Sequence, residues 1–273
     1  MRPLLFEKYE GLGNDFVIVE GSVGLLSLDQ VRTICDRHLG VGADGVLFTG
    51  INAGRPFMHV INADGSTAEM CGNGLRCVAL HLVRRGLVEE RSFEVDTDAG
   101  AHACRVLEVQ DGRVEVSMRA ASLAPADVPS TAGAPLIDHE LVLDRRVRIT
   151  AVSMGNPHAV LFDDVGDARM TLGPALQHHP LFPQRANVGF ARMTGERALE
   201  LHVYERGAGW TQACGTGACA AAVAAVETKR APRGLPIEVL LPGGPLEIVV
   251  GAPGERIRMT GAARHVYSGR YEL

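Results

Sequence analysis

The chain has 273 residues, enough for one large domain or two of ordinary size, and its balance of 46% apolar to 22% charged residues fits a globular protein with a substantial core. The net charge of −5 includes no long run of one sign, so nothing points to nucleic acid or an anionic membrane. The opening "MRPLLFEKYEGLGNDF" lacks the continuous apolar core of a signal peptide, and the longest small apolar run, 218–226, is too short to span a bilayer; the reading is a cytoplasmic protein.

In chain order, "GLGNDF" brings Asn14 and "NADGS" brings Asn62, both in turn-like contexts. "MCGNGLRC" follows, with Cys71 ahead of Leu75, Val78, Ala79, Leu82 and Val83, the spacing of an amphipathic helix that ends near Gly86. Strands are predicted at 92–97, 101–109 and 113–118. A Pro/Ala-rich stretch, 121–136, marks a boundary between an N-terminal half, 1–120, and a C-terminal half, 121–262. The last residues, 263–273, return to complete the first half. In the second half come "SMGNPH" with Asn156 and His158, "RANVGF" with Asn187, and "ERGAG" with Glu205 and Arg206. "ACGTGACA" then places Cys214 before a helix that is apolar nearly all round, followed by strands at 237–241, 246–250 and 256–260.

The two halves keep step. Phe93 lies 22 residues beyond Cys71 and Ile237 lies 23 beyond Cys214, while Val114 and Ile257 are both 43 beyond. Asn62 and Glu205 each precede their cysteine by 9 residues, and Asn14 and Asn156 precede theirs by 57 and 58. This is an internal duplication with a period of about 143 residues. The predicted fold is α/β of the α+β kind: two pseudo-symmetric halves, each a curved, mostly antiparallel sheet or barrel around a central helix, since a helix apolar on every side must be buried on every side.

A cysteine at a helix N-terminus lies near unpaired N–H groups and the positive end of the helix dipole, which lowers its pKa. The glycines after it let backbone N–H groups face a carboxylate. Two such thiols flanking one small molecule suit inversion at a carbon next to a carboxylate: one thiolate removes a proton and the other thiol delivers one to the opposite face. Each asparagine alone reads as a turn residue; their matched positions favour amides that recognise ammonium and carboxylate groups. Arg206 is either a surface ion pair or a bidentate carboxylate clamp, and His158 is either structural or able to polarise a thiol. Cys35, Cys77, Cys104 and Cys219 read as packing residues. The cysteine spacings include no Cys-x-x-Cys, so no metal is expected; only Lys8 and Lys229 could offer a Schiff base, and no cofactor is expected.

Together, "GLGNDF", "NADGS…CGNGLRC", "SMGNPH", "ERGAGWTQACGTGACA" and "LPGGPLEI" resemble the diaminopimelate epimerase family over nearly the whole chain. The resemblance implies that family's fold and a pyridoxal- and metal-independent epimerase acting on diaminopimelate, for lysine and peptidoglycan synthesis. It also implies a homodimer. It makes Cys71 and Cys214 the acid/base pair, with Gly72, Asn73, Gly215 and Thr216 holding the reacting carboxylate. Asn14, Asn62, Asn156, Asn187, Glu205 and Arg206 would read the remaining substrate groups, and His158 and Glu205 would tune the cysteines. Gly45 of "GVGADG" stands where many members have Gln, and Trp210 where many have a small or polar residue, a change expected to reshape the rim of the site. The rivals are a two-cysteine racemase of another amino acid and a thiol redox or anion-binding protein without proton transfer.

Overall fold

The computed structural model describes residues 3–273, which divide into two compact units, 3–117 with Thr260–Leu273, and Met118–Met259. The first unit begins with β1 (Leu4–Gly11) and β2 (Asn14–Glu20), joined by the two-residue loop Leu12–Gly13. Both loop residues have positive φ, 58° and 80°, as a tight hairpin turn between right-twisted strands requires. The Leu12–Gly13 turn thereby fixes Asn14 at the first position of β2.

There follow α1 (Leu28–Cys35), β3 (Gly45–Asn52), β4 (Arg55–Asn62), β5 (Thr67–Ala68), α2 (Gly72–Arg84), β6 (Ser92–Thr97), β7 (Gly100–Glu108) and β8 (Arg113–Ala120). The second unit holds β9 (His139–Val142), β10 (Arg146–Ser153), β11 (Pro157–Leu161), α3 (Arg169–Gln177), β12 (Asn187–Gly195), β13 (Ala198–Glu205), β14 (Gly209–Thr211), α4 (Gly215–Glu227), β15 (Pro236–Leu241) and β16 (Gly244–Val249). The chain closes with β17 (Arg256–Ala262) and β18 (Arg264–Tyr271).

One wiring scheme serves both units. In the first, β18 pairs with β1, β1 with β2, β3 with β4 and β6 with β7, all antiparallel, while β2–β3 and β4–β6 are parallel. In the second, β9 pairs with β10, β10 with β11, β12 with β13 and β15 with β16, again antiparallel, while β11–β12 and β13–β15 are parallel. Parallel neighbours need a crossover, and each crossover here carries a helix: α1 and α2 in the first unit, α3 and α4 in the second. The fold is the expected pair of similar, mostly antiparallel halves.

Both faces of β2 are covered. In β2, Val17 and Val19 join Val31 and Ile34 of α1 in one cluster, while the alternate Phe16 and Ile18 are buried on the other face. That is why "FVIV" reads as a continuous apolar run rather than an alternation. In the second unit, Leu172 and Leu176 of α3 pack with Ile149, Leu161, Val188 and Phe190. The helix α4 packs against β10, β11, β15 and β16, and is buried from Gly217 to Val226, as its all-round apolar sequence requires. The helix α2 departs from the expected amphipathic pattern. It is buried from Gly72 to Leu82, including Asn73, Arg76 and His81, because it crosses strands that pack on several sides. Gly86, with φ 67°, ends α2, and at the matching place Lys229 takes φ 59° after α4.

Candidate functional site

The two Cys-Gly-x-Gly motifs fold alike. Cys71 is the N-cap of α2 and its Sγ accepts the Gly74 N–H at 3.5 Å; Cys214 is the N-cap of α4 and its Sγ accepts the Gly217 N–H at 3.4 Å. Sulfur here takes the place that a Ser or Asp oxygen usually fills. The second glycine of each motif is tightly enclosed. A Cβ at Gly217 would stand 3.1 Å from the Cys214 Sγ and from Val203, and one at Gly74 would stand 3.1 Å from Leu47. The leading N–H groups at Gly72–Asn73 and Gly215–Thr216 have no acceptor within their own helix, which makes each start a candidate carboxylate cradle.

In the first unit, parallel and antiparallel register brings the strand ends to one rim: Phe16 lies opposite Gly45, and Gly45 opposite Asn62. Asn14 Oδ1 accepts from Asn73 Nδ2 at 3.2 Å and from the Cys71 thiol at 3.8 Å. Asn62 directs its Nδ2 to Ser66 Oγ at 2.9 Å within the "NADGS" turn. At Gly45 a Cβ would come within 2.7 Å of the Ile61 carbonyl oxygen, so this backbone admits no glutamine without moving.

In the second unit one network contains Asn156, His158, Asn187, Glu205, Arg206, Cys214 and Thr216. Asn156 donates from Nδ2 to Thr216 Oγ1 at 3.3 Å, and Thr216 Oγ1 lies 3.6 Å from the Cys214 Sγ. His158 Nε2 meets Asn156 Oδ1 at 3.1 Å. Asn187 Oδ1 accepts the Arg206 N–H at 2.8 Å, and Arg206 Nη1 donates to the Gln184 carbonyl at 3.0 Å while its side chain is otherwise exposed. Glu205 hydrogen-bonds Cys214 and accepts from Thr211 Oγ1 at 2.5 Å.

The electrostatics differ from the sequence expectation at Cys214. Burial pushes this thiol well above its ordinary range, and the nearby Glu205 carboxylate adds to the effect; both outweigh the helix end. Burial also raises Glu205, against hydrogen bonds from Thr211 and Cys214. His158 is lowered to about 3, by burial first and by the Arg206 charge second, so its ring is neutral near pH 7 and reaches Cys214 only through Asn156 and Thr216. Trp210 packs on Phe190 and Tyr204, ring centroids 5.7 and 5.4 Å away, and its strand neighbour Thr211 carries the contact to Glu205. The indole is partly buried, packed against the edge of the unit's core.

Cys77 and Cys219 lie inside their helices and are fully buried, as are Cys35 and Cys104 within a few per cent. Among the described residues no group of three or more His, Cys, Asp or Glu is arranged to hold a metal ion, and no helix is long and apolar enough to cross a membrane. Sequence reasoning passed over Thr211, Asp44 and Arg76. All three sit inside quoted motifs, but no spacing or pattern there marks them as partners of the site.

The diaminopimelate epimerase family model matches residues 6–124 and 150–266. Among curated relatives, diaminopimelate epimerase of Synechocystis sp. is 45% identical, covering 99% of each chain. The chloroplastic diaminopimelate epimerase of Oryza sativa subsp. japonica is 41% identical, covering 98% of this chain and 80% of its own. Among solved structures, a phenazine biosynthesis protein of the PhzF family from Bacillus anthracis superposes with TM-score 0.72 at 15% identity, covering 100% of both chains. A hydroxyproline epimerase from Agrobacterium vitis, with bound trans-4-hydroxy-L-proline, gives TM-score 0.69 at 15% identity over 100% of this chain and 93% of that one. These two likenesses concern the fold.

Proposed function

The chain belongs to the diaminopimelate epimerase family, and from that premise we infer that it converts LL-2,6-diaminopimelate to the meso form by proton transfer at one α-carbon, using Cys71 and Cys214 as its two acid/base groups. The observation that carries this reading is the repeated thiol N-cap, each sulfur held by the third N–H of a helix whose first two N–H groups have no acceptor within the helix. Inversion requires a base on one face of the carbon and an acid on the other. In the proposed cycle one cysteine, as thiolate, takes the α-proton. The electron pair left on carbon delocalises into the adjacent carboxylate, whose growing charge is met by the helix N–H groups and dipoles. The other cysteine then gives its proton to the opposite face, and reversal exchanges the roles.

Gly72, Asn73, Gly215 and Thr216 would hold the reacting carboxylate through backbone N–H groups. Asn14, Asn62, Asn156, Asn187, Glu205 and Arg206 would read the amino groups and the distal carboxylate. Glu205, in contact with the thiol, tunes Cys214; the neutral His158 acts through Asn156. Neither a metal nor pyridoxal phosphate is part of this reading, which places the reaction in lysine and peptidoglycan precursor synthesis in the cytoplasm. Assembly as a homodimer belongs to the same reading, supported by Leu5, Val266 and Tyr267, which stand 72%, 51% and 42% exposed on the paired strands β1 and β18.

Turnover of LL-diaminopimelate by the purified chain, followed by chiral chromatography, tests the assignment. Wild type is expected to form the meso isomer, and Cys71→Ala and Cys214→Ala each to abolish its formation in a folded protein. Cys77→Ala should retain most activity and cost roughly 1 kcal/mol in stability. Normal turnover in either Cys71→Ala or Cys214→Ala would remove that cysteine from the mechanism.

A further inference from the structure

Behind Cys71 runs a chain of side chains whose two ends, Arg76 and Asp44, the proposed cycle leaves unused. Arg76, one turn into α2, is fully buried and donates from Nη2 to Asn73 Oδ1 at 3.0 Å, with further bonds to the Gly72 and Ala262 carbonyls at 3.3 Å. Asn73 passes its Nδ2 to Asn14 Oδ1 at 3.2 Å, and Asn14 passes its own Nδ2 to Asp44 Oδ2 at 2.6 Å. Asp44 is anchored in turn: its Oδ1 takes Arg37 Nη2 at 2.6 Å and its Oδ2 the Asp15 N–H at 3.0 Å. Arg37 also grips Asp15, which pairs with the buried Lys8.

The polarity of this chain is forced from both ends. A guanidinium can only donate, so the Asn73 atom it meets is the oxygen; a carboxylate can only accept, so the Asn14 atom it meets is the amide nitrogen. The remaining nitrogen of Asn73 and oxygen of Asn14 then meet as donor and acceptor. Turning either amide over would set like against like at a charged group, at partly or fully buried positions where an unsatisfied bond is costly. The atom that Asn14 shows to the Cys71 sulfur is therefore fixed as an acceptor.

At the matching position in the second unit the orientation is reversed. There Asn156 has its oxygen taken by His158 and turns Nδ2 toward Thr216, beside Cys214. The asparagines occupy equivalent places in the two wiring schemes, and different anchors turn them opposite ways.

We propose that Arg76 and Asp44 are positioning residues for Cys71, which lock the amides of Asn73 and Asn14 in the one orientation that aims an acceptor oxygen at the thiol. The lock directs the S–H bond along the line from Sγ to Asn14 Oδ1, while the sulfur accepts the Gly74 N–H. It rests on the reading of Cys71 as an acid/base group for its consequence in turnover, but the orientation itself can be observed without substrate.

The first arm uses the full, isotope-labelled chain. Between wild type and Cys71→Ala the side-chain carbonyl carbon of Asn14 is expected to shift, while its Nδ2 protons keep the resonance set by Asp44. Moving Nδ2 protons with a stationary carbonyl would mean that the amide is turned the other way, and would overturn the proposal. The second arm is kinetic. Arg76→Met keeps the bulk but cannot donate, and is expected to lower kcat about 10²-fold, more than it raises KM, as a misaimed reacting group does. Arg76→Lys should recover most of that loss, because an ammonium still donates to Asn73 Oδ1. Wild-type kcat in the Met variant, or no recovery in a Lys variant of equal thermal stability, contradicts the lock. If the Met variant does not fold, the resonances decide alone. Loss of the lock in a chain that still interconverts the stereoisomers leaves the epimerase reading standing; an intact lock in a chain that interconverts nothing does the reverse.

Discussion

Cys71 and Cys214 share a cap geometry but not an environment, and the difference is measurable. The Glu205 carboxylate disfavours the Cys214 thiolate, so Glu205→Gln is expected to lower the pH at which Cys214 becomes reactive to iodoacetamide, followed by peptide mapping. An unchanged or higher midpoint would show that Glu205 is not the source. Stability should also depend on pH at both extremes. His158 has its pKa lowered from 6.5 to about 3, so the unfolded chain binds a proton that the folded one refuses, and stability is lost as pH falls from 6.5 toward 3. On the alkaline side, burial raises Cys35 to about 11 and Cys104 to about 12, and raises Cys214 as well. Unfolded thiols ionise near 9, so the folded chain holds more protons above that pH and stability falls as pH rises past it. Urea unfolding across the pH range checks both limbs; a flat profile on either side would contradict the burial that causes it.

Among the elements, the helix starts carry the proposed chemistry, and their glycines would connect packing to it. Gly217→Ala adds a Cβ 3.1 Å from the Cys214 Sγ, while alanine favours the helix by about 1 kcal/mol over glycine. The expected outcome is a melting temperature close to wild type with a reduced kcat, since the sulfur must give by a few tenths of an ångström to admit the new methyl group. Wild-type kcat would mean that the sulfur has room the geometry denies it. The same helices show what was legible in advance. The strand at 92–97 and the helix after Cys214 could be read from alternation and from uniform apolarity, because burial on one face or on all faces leaves a direct trace. The polar interior of α2 could not, since Asn73, Arg76 and His81 look like a solvent face until the strands around them are placed. Motif spacing pointed to Asn156, Asn187 and Glu205, but not to the bonds among them. Those follow from register, which sets His158 opposite Asn187. The raised thiol of Cys214 escaped for a related reason: a helix dipole is visible in sequence, whereas the depth of a side chain is not.

At the scale of the whole molecule, one wiring scheme used twice supplies two thiols from one design, and a proton-transfer pair needs two groups that can exchange roles. The exposed apolar side chains on β1 and β18 lead us to expect a two-copy mass by sedimentation at micromolar concentration; a single-copy mass throughout would remove the homodimer from the proposal. In the proposed cycle two different thiols serve the two faces of one carbon. This is tested most directly by letting the enzyme act on LL-diaminopimelate in D₂O and following α-deuterium early in the reaction. Two thiols, each guarding its own face, should place solvent deuterium in the newly formed meso isomer well before any appears in recovered substrate. Equal early labelling of both pools would mean a single exchanging base and would contradict the account.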